Sequence, residues 1–261
     1  MELETKFTSR QVLTQYLEQA LQGYYTGEAR APALIGGRKA ALAHLAAFKA
    51  KNYGRRNHTD APVSRLSAYL RHGMLGITEV AAHIRSLAAG RERDEFLKQL
   101  TWREFFALVM EQEGMAVLEN LEPAKYPTRW AATLPDDIAT GTTGLPCVDA
   151  WVENLTETGY LHNHERLWFA AYTVHFRKVH WKAGFTFFRQ HLLDGDIASN
   201  ALSWQWVAST FSHKPYFMNK DNIEKFSHNQ WCANCRAKCP FNKSYTALER
   251  ELFGADYGWS A

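Results

Sequence analysis

The spacing of apolar residues along this chain favours helices rather than strands. Apolar side chains recur at three- and four-residue steps, as on one face of a helix. Two such sets are Leu42, Leu45 and Phe48, and Leu167, Ala171 and Val174. Residues 149–159 begin just after Pro146 and end on Gly159, as a short helix does. Since no run alternates apolar and polar residues between turns, we predict an all-α fold.

The longest candidate loop covers residues 122–146, which are rich in proline and glycine. A domain boundary is one interpretation of this segment. A surface loop within one helical domain is the simpler one. We therefore predict a single helical domain over residues 1–261.

Charge and aromatic content restrict the functional class only weakly. The net charge is +3 and the pI about 8.6, which does not by itself indicate a nucleic-acid partner. Between Arg38 and Arg71 there are eight Lys or Arg residues and one acid; between Lys214 and Lys243 there are six and two. On charge alone, a solvated basic face explains both segments. The nine Trp, eleven Tyr and fifteen Phe residues are less ordinary.

The N-terminal segment lacks a basic region followed by an apolar core, so we expect no secretory signal. No apolar run approaches the ~20 residues that a membrane helix needs. We therefore expect a soluble, cytoplasmic protein that does not bind membranes. Its four cysteines are then reduced thiols or metal ligands rather than disulfides.

Residues 194–206 carry the most specific chemical signal. Two acids, Asp194 and Asp196, precede Asn200 and the Trp204-Gln205-Trp206 triplet. Carboxylates can hold hydroxyls or a cation, the amide is a neutral donor and acceptor, and indoles are large π-systems. This combination favours a buried redox-active aromatic cofactor over hydrolysis. Acid–base or metal carboxylates are a weak alternative, because no His or third carboxylate lies close by.

Common nucleotide-binding motifs are missing from the sequence: it has no Rossmann fingerprint and no P-loop. One candidate phosphate site is the segment 63–70, where Ser64 and Ser67 lie at a helix start. In isolation, an ordinary serine N-cap explains the segment better. His162 and His164 are two residues apart, which points them to different helix faces and argues against a shared metal.

Three cysteines are clustered near the C-terminus as Cys232-x-x-Cys235-x-x-x-Cys239-Pro240, and Cys147 is the fourth. Four thiolates can hold a [4Fe–4S] cluster or a tetrahedral zinc ion. The spacing alone does not separate these two. Free thiols are the third alternative.

Six sequence blocks together resemble the FAD-binding helical domain of the cryptochrome and DNA photolyase family. They are residues 37–42 (GRKAAL), 64–67 (SRLS), 101–105 (TWREF), 143–150 (TGLPCVDA), 158–163 (TGYLHN) and 194–206. The resemblance spans nearly the whole chain and implies an all-α FAD-binding fold. Because the chain starts where that domain starts, we expect no antenna domain before it.

The resemblance implies a set of FAD contacts. The phosphates and ribityl chain would be held by Tyr53, Ser64, Leu66 and Ser67. Arg166 and Asp194 would pair beside the isoalloxazine ring, with Asp196 near its polar edge. Asn200 would face flavin N5, where a neutral amide can hydrogen-bond without supplying an acidic proton. An Asn at this place is typical of photolyase-like redox behaviour.

The resemblance also implies an electron-hopping chain of tryptophans. Trp204 and Trp181 match its first two members. The third member is less well aligned, and Trp130 is the candidate. Packing alone is the alternative explanation of these indoles.

Family photolyases flip a pyrimidine lesion over the flavin, and the excited reduced FAD donates an electron that splits it. Gln99, Trp102, Asn163 and Trp206 match lesion-contacting positions. There are departures from the usual pattern. Gln99 replaces a Glu, Leu167 a Met and His164 an Arg. A Gln can bond a thymine edge but stabilises developing charge less well than a carboxyl group.

The cysteine order matches a bacterial branch of the family that carries a [4Fe–4S] cluster. That branch uses one cysteine in mid-domain and three near the C-terminus, as in Cys147, Cys232, Cys235 and Cys239, although the last spacing is shorter here. We expect the cluster at these four residues, with zinc as the alternative.

These expectations combine into three functional hypotheses. The leading one is a light-driven, FAD-dependent photolyase, a lyase that repairs UV pyrimidine lesions in DNA, single-stranded DNA included. The second is a blue-light photoreceptor of cryptochrome type without repair activity. The third is an electron-transfer flavoprotein. The sequence leaves the oligomeric state open.

Overall fold

The computed structural model describes residues 3–25, 32–126 and 128–254. Its internal contacts divide the chain into two compact units, residues 1–35 and 36–261. The described residues of the first unit contain one helix, α1 (Arg10–Ala20), which the Ser9 side chain caps by accepting from the Val12 amide. The single domain over the whole chain stays a prediction.

Eleven further α-helices lie in the described part of the second unit. They are α2 (Arg38–Ala47), α3 (Ser67–Arg71), α4 (Ile77–Ser86), α5 (Arg91–Glu113), α6 (Asp136–Ala139), α7 (Pro146–Thr158), α8 (Asn163–Ala171), α9 (Trp181–His191), α10 (Ile197–Ala208), α11 (Lys220–Phe226) and α12 (Tyr245–Phe253). Short 3₁₀ turns cover Tyr53–Arg55 and Gly114–Leu118, and a π-helical turn covers Tyr172–Phe176. Among the described residues, β-pairing is limited to one isolated bridge between Ala131 and Val179. The predicted all-α fold is confirmed.

The helix predicted to end at Gly159 is α7. It begins at Pro146, because a proline at the first helical position loses no internal hydrogen bond. Gly159 closes the helix in the left-handed region, with a φ of 67°. The other two predicted periodic segments differ in detail. Phe48 caps α2 instead of lying in it, and Val174 belongs to the π-helical turn after α8.

The segment 122–146 is a long connection whose only α-helix in the described part is the four-residue α6. Its end is fixed by Asp149, which accepts hydrogen bonds from the backbone of Thr143 and Gly144 at 2.8 and 3.1 Å. This arrangement leads the chain directly into α7, near whose start Cys147 lies.

The main core of the second unit forms around α7 to α10. Four indoles and two phenyl rings on these helices are almost completely buried: Trp151, Trp168, Phe169, Trp181, Phe188 and Trp204. Helix α10 packs against α5, α8 and α9. Side chains on α10 are therefore held between three other helices. In the part of the chain that the structure describes, each helix is too short or too polar to cross a membrane.

Candidate functional site

Many of the residues predicted for the flavin and lesion sites meet in one cavity of about 220 Å³. Helices α5, α8 and α10 contribute most of its walls. The predicted residues that line it are Ser67, Gln99, Trp102, Asn163, Arg166, Asp194, Asn200 and Trp204. Residues as far apart in the sequence as Ser67 and Trp204 thus line one polar and aromatic space.

A second cavity of about 230 Å³ adjoins the first. It is lined by Tyr53 and Ser64, both predicted to hold the FAD phosphates and ribityl chain. The lining residues common to both cavities are Ser67, Gln99, Asn163, Arg166 and Asp194. Together the two cavities form an elongated site with one flank near the serine segment and the other near Trp204.

Arg166 and Asp194 form an ion pair where the two cavities meet. The guanidinium Nη2 of Arg166 donates to Asp194 Oδ2 at 3.1 Å, and its Nε donates to the Leu161 carbonyl at 2.8 Å. Burial would raise the pKa of Asp194, whose side chain is only 7% exposed. The charge of Arg166, the hydrogen bonds from Ser67 and Arg166 and the charge of Arg103 together outweigh that effect and hold the pKa of Asp194 below its usual range. The carboxylate is therefore charged at neutral pH.

Gly159 fixes the position of the segment that carries Asp194. The Leu193 amide donates to the Gly159 carbonyl at 2.9 Å. A Cβ on Gly159 would lie 2.7 Å from Leu193 Cγ, so a larger residue has no room there. This close approach explains why the block 158–163 and the start of the segment 194–206 belong to one site.

Two of the predicted FAD contacts lie outside the cavity walls. Asp196 caps α10, since its carboxylate accepts from the Ser199 amide at 3.1 Å, and it lies 3.8 Å from Arg103. Leu66 is a core residue that is 1% exposed. Their roles at the cofactor stay predictions.

Asn200 and Trp204 lie one helical turn apart on α10 and both face the cavity. The Asn200 amide nitrogen donates to the Phe185 carbonyl at 3.3 Å, which orients the side chain. Trp204 is 2% exposed. This pair offers a neutral amide and a protected indole on the same wall.

Trp181 and Trp130, the other two predicted members of the tryptophan chain, line neither cavity. Trp181 is fully buried and its indole nitrogen donates to Asn120 Oδ1 at 2.6 Å. The His180 ring lies between the two indoles, 5.1 Å from Trp130 and 5.7 Å from Trp181. The structure therefore brings Trp130 and Trp181 into one aromatic cluster through a histidine. Electron transfer along them stays a prediction.

The residues predicted to contact a lesion are only partly brought together. Gln99, Trp102 and Asn163 line the first cavity, where Trp102 remains 48% exposed. Trp206 lines neither cavity; it packs on Tyr216 with ring centres 5.5 Å apart. Two further residues differ from those that the family usually has at their positions. Leu167 lines the first cavity, whereas His164 is buried with its ring nitrogen against the Asn57 carbonyl.

Several residues that line the two cavities went unassigned in the sequence, among them two arginines and two aromatic residues. Arg103 and Phe106 line the first cavity, and Arg65 and Tyr160 line the second, with the guanidinium 4.4 Å from the ring centre. Arg103 and Phe106 follow Gln99 by four and seven residues, a spacing that places them on one helix face. That spacing would have been a sufficient signal for both.

All four cysteines line a separate cavity of about 310 Å³, beside the start of α7. Burial raises the pKa of the Cys147 thiol to about 12, and the neighbouring Cys232 and Cys239 add to the shift. Burial likewise raises the pKa of Cys232 to about 11, with Glu224 contributing. Binding of a metal would therefore release protons from these thiols.

The sulfur atoms are spread around that cavity. No three of the four lie within 4.8 Å of one another. Zinc holds a thiolate at about 2.3 Å, so two sulfurs on one ion are at most about 4.6 Å apart. The arrangement consequently fits a group of several atoms better than a single ion.

The main site has the chemistry of a protein that binds a large aromatic redox cofactor. Asp194 Oδ1 is buried 3.1 Å from Arg166 Nη2, and a carboxylate oxygen can accept a further hydrogen bond from a ligand. A charged pair, a neutral amide and an indole surround the same space. The residues present therefore fit a flavin.

A model of the FAD-binding domain of DNA photolyase matches residues 96–243, which are 148 of the 261 residues. The chain belongs to this family, and the match supports FAD as its cofactor. It is similar to the deoxyribodipyrimidine photo-lyase of Halobacterium salinarum, with 36% identity over 60% of this chain and 35% of that protein. The Escherichia coli deoxyribodipyrimidine photo-lyase is 31% identical over 76% of this chain and 46% of that protein. The chain thus spans less than half the length of either relative.

Solved structures give the same family. A class III photolyase from Agrobacterium tumefaciens matches with a TM-score of 0.66 and 28% identity, over 76% of this chain and 44% of that one. An archaeal photolyase from Sulfolobus tokodaii, solved with two FAD molecules, matches with a TM-score of 0.68 and 28% identity. That match covers 80% of this chain and 47% of the archaeal protein.

Proposed function

We propose that this chain is a light-driven, FAD-dependent photolyase that repairs UV pyrimidine lesions in DNA. The observation that carries the proposal is the shared cavity. Asn200, Trp204 and the Arg166–Asp194 pair line the same space as Gln99, Trp102 and Asn163. A cofactor and a substrate base held by these two sets would lie close enough for direct electron transfer.

The residues of the chain would prepare the reaction by position and charge. When bound and reduced, FAD supplies an electron on absorbing light. Arg166 and Asp194 would orient the ring system, and Asn200 would offer a neutral hydrogen-bond partner without an acidic proton. The buried indole of Trp204 keeps water from that wall of the site. Gln99 and Asn163 would hydrogen-bond the polar edge of the lesion.

Damaged DNA, with single-stranded DNA included, is the partner we propose. A base must leave the duplex stack to enter such a cavity, and a base in a single strand loses less stacking energy on doing so. The half-exposed Trp102 would offer the entering base an aromatic surface. The nearby Arg103 would add positive charge beside it.

Repair can be tested directly with the reduced, flavin-loaded protein. Blue light should split cyclobutane dimers in oligonucleotides into two separate pyrimidine bases that remain in the strand. Asn163→Ala should weaken binding of the damaged strand. Trp206→Ala is informative too, since its lesion contact is predicted from the sequence alone. If the illuminated protein leaves dimers intact in single- and double-stranded DNA, the enzyme proposal is rejected. Photoreduction without repair would then favour a photoreceptor.

We also propose that the four cysteines hold a [4Fe–4S] cluster. Two observations support it: all four line one cavity, and no three of their sulfurs lie within 4.8 Å of one another. Iron and zinc analysis of protein purified without oxygen tests the proposal, together with electron paramagnetic resonance of the reduced protein. About four iron atoms per chain are expected. Stoichiometric zinc without iron would exclude the cluster.

A further inference from the structure

A second group of potential metal ligands lines neither the cysteine cavity nor the two cavities of the main site. His58, Asp60 and His228 each offer one donor atom, and these three atoms all lie within 4.8 Å of one another. His228 Nε2 is 3.1 Å from Asp60 Oδ1. We propose that these three residues form a binding site for a divalent transition-metal ion.

The two chain segments that supply these ligands are held together by the backbone. The Thr59 amide donates to the Phe226 carbonyl at 2.9 Å. The His58 ring packs against the Phe226 ring and stacks on His228, with ring centres 4.9 Å apart. His228 itself has a φ of 50°, a conformation that few residues adopt. The donors are thus brought together before any ion binds.

One nitrogen in the group lacks a partner. His58 Nδ1 is buried and accepts or donates no hydrogen bond. A buried polar atom without a partner needs an explanation, and a bound ion or water is one. The side chains of Asp60 and His228 are 60% and 50% exposed, so an ion can enter from solvent.

The donor set selects the class of ion. Two imidazoles and one carboxylate suit zinc and its neighbours in the first transition row, whereas magnesium and calcium prefer oxygen ligands alone. Zinc bound by three protein ligands retains one open position. Such an ion would link the segment of His58 and Asp60 to His228, which follows the end of α11 by two residues.

Cobalt(II) is the best probe, because coordination by thiolate adds an intense charge-transfer absorption that imidazole and carboxylate do not give. Binding to the full chain is followed by the visible absorption of cobalt. We expect bound cobalt to give visible absorption without the thiolate charge-transfer band. Both His228→Ala and Asp60→Asn should weaken binding to it at least about 10-fold, the loss that even outer-shell partners cause at known metal sites.

His83→Ala is the matched control, since this histidine of α4 belongs to no group of neighbouring ligands. Circular dichroism shows whether each variant keeps its helices. Unchanged cobalt binding in both cluster variants would overturn the proposal. So would cobalt absorption that always carries the thiolate band, because the cysteines would then be the binding site.

Discussion

Gly184 on α9 lies directly against the indole of Trp204 on α10. A Cβ at position 184 would be 2.1 Å from the indole Cη2 atom, far closer than side chains can approach. The absence of a side chain at this glycine therefore lets the two helices close around Trp204. Since Trp204 also lines the cofactor cavity, this contact sets where one wall of the cavity stands.

Gly184→Ala should displace the Trp204 indole and destabilise the protein by about 1–3 kcal/mol, the usual cost of overpacking a core. Alanine otherwise stabilises a helix relative to glycine, so a net loss of stability can be attributed to the clash with Trp204. Urea unfolding measures the change. Gly36→Ala serves as the control, because its Cβ would meet nothing within 4 Å. Equal stability of the Gly184 variant and the wild type would mean that the helices separate without cost.

Trp204→Phe should abolish light-driven reduction of the bound flavin by an external donor. Phenylalanine keeps most of the packing at this buried position but is much harder to oxidise than an indole. Transient absorption of the flavin-loaded protein gives the rate. Trp206→Phe lies on the same helix, outside both cavities, and should reduce its flavin normally. A normal rate in the Trp204 variant would remove this indole from the electron path.

The sequence was sufficient for the fold class and for much of the main site. Helical periodicity predicted the all-α fold, and the family blocks predicted residues that do meet, such as Asn163 and Asp194. This succeeds because block residues make tertiary contacts near the site, as Gly159 does with Leu193, the neighbour of Asp194. Motif residues therefore carry tertiary information even when they lie far apart in the chain.

Other features depend on geometry that local patterns do not contain. Asp196 is a helix N-cap as well as a predicted cofactor contact, and its sequence position fits both. Trp206 is two residues beyond Trp204, which turns it to another face of α10 and onto Tyr216. The spacing of the four sulfurs is visible only once the loop before α7 meets the segment after α11.

Cys147→Ser should remove the cluster from the cysteine cavity. Serine supplies a harder oxygen ligand in place of the thiolate that iron–sulfur clusters require. The iron content per chain and the brown absorption should both fall, while flavin remains bound in the separate main cavity. Lys238→Ala changes another residue of the same cavity without removing a sulfur and should keep its iron. Full iron content in the serine variant would exclude Cys147 as a ligand.

Glu165→Gln should stabilise the protein at alkaline pH. Burial raises the pKa of Glu165 to about 7, so the folded state holds its proton more tightly than the unfolded chain does. The associated stability is present below the unfolded pKa and is lost as the pH rises through the folded value. At about pH 8 the free energy of unfolding of the glutamine variant should exceed that of the wild type by on the order of 2 kcal/mol. At about pH 4 the two should be equally stable. Glu153→Gln, at an exposed position on α7, is the control. A gain that is the same at both pH values would contradict the assignment.

Asp194→Asn should weaken both the fold and the binding of flavin. The folded pKa of Asp194 is depressed, so its ion pair with Arg166 stabilises the protein above the unfolded pKa, and that stability is lost as the pH falls through the folded value. At neutral pH the variant should lose about 1.5–3 kcal/mol, the usual worth of a hydrogen bond to a charged group. The difference should shrink in acid, where the wild-type carboxyl is also neutral. Asp136→Asn changes an exposed carboxylate on α6 and provides the control. Urea unfolding across the acid range tests the effect on stability, and flavin titration at neutral pH tests the effect on binding. If the loss of stability does not vary with pH, the charge of Asp194 is not the cause of that loss.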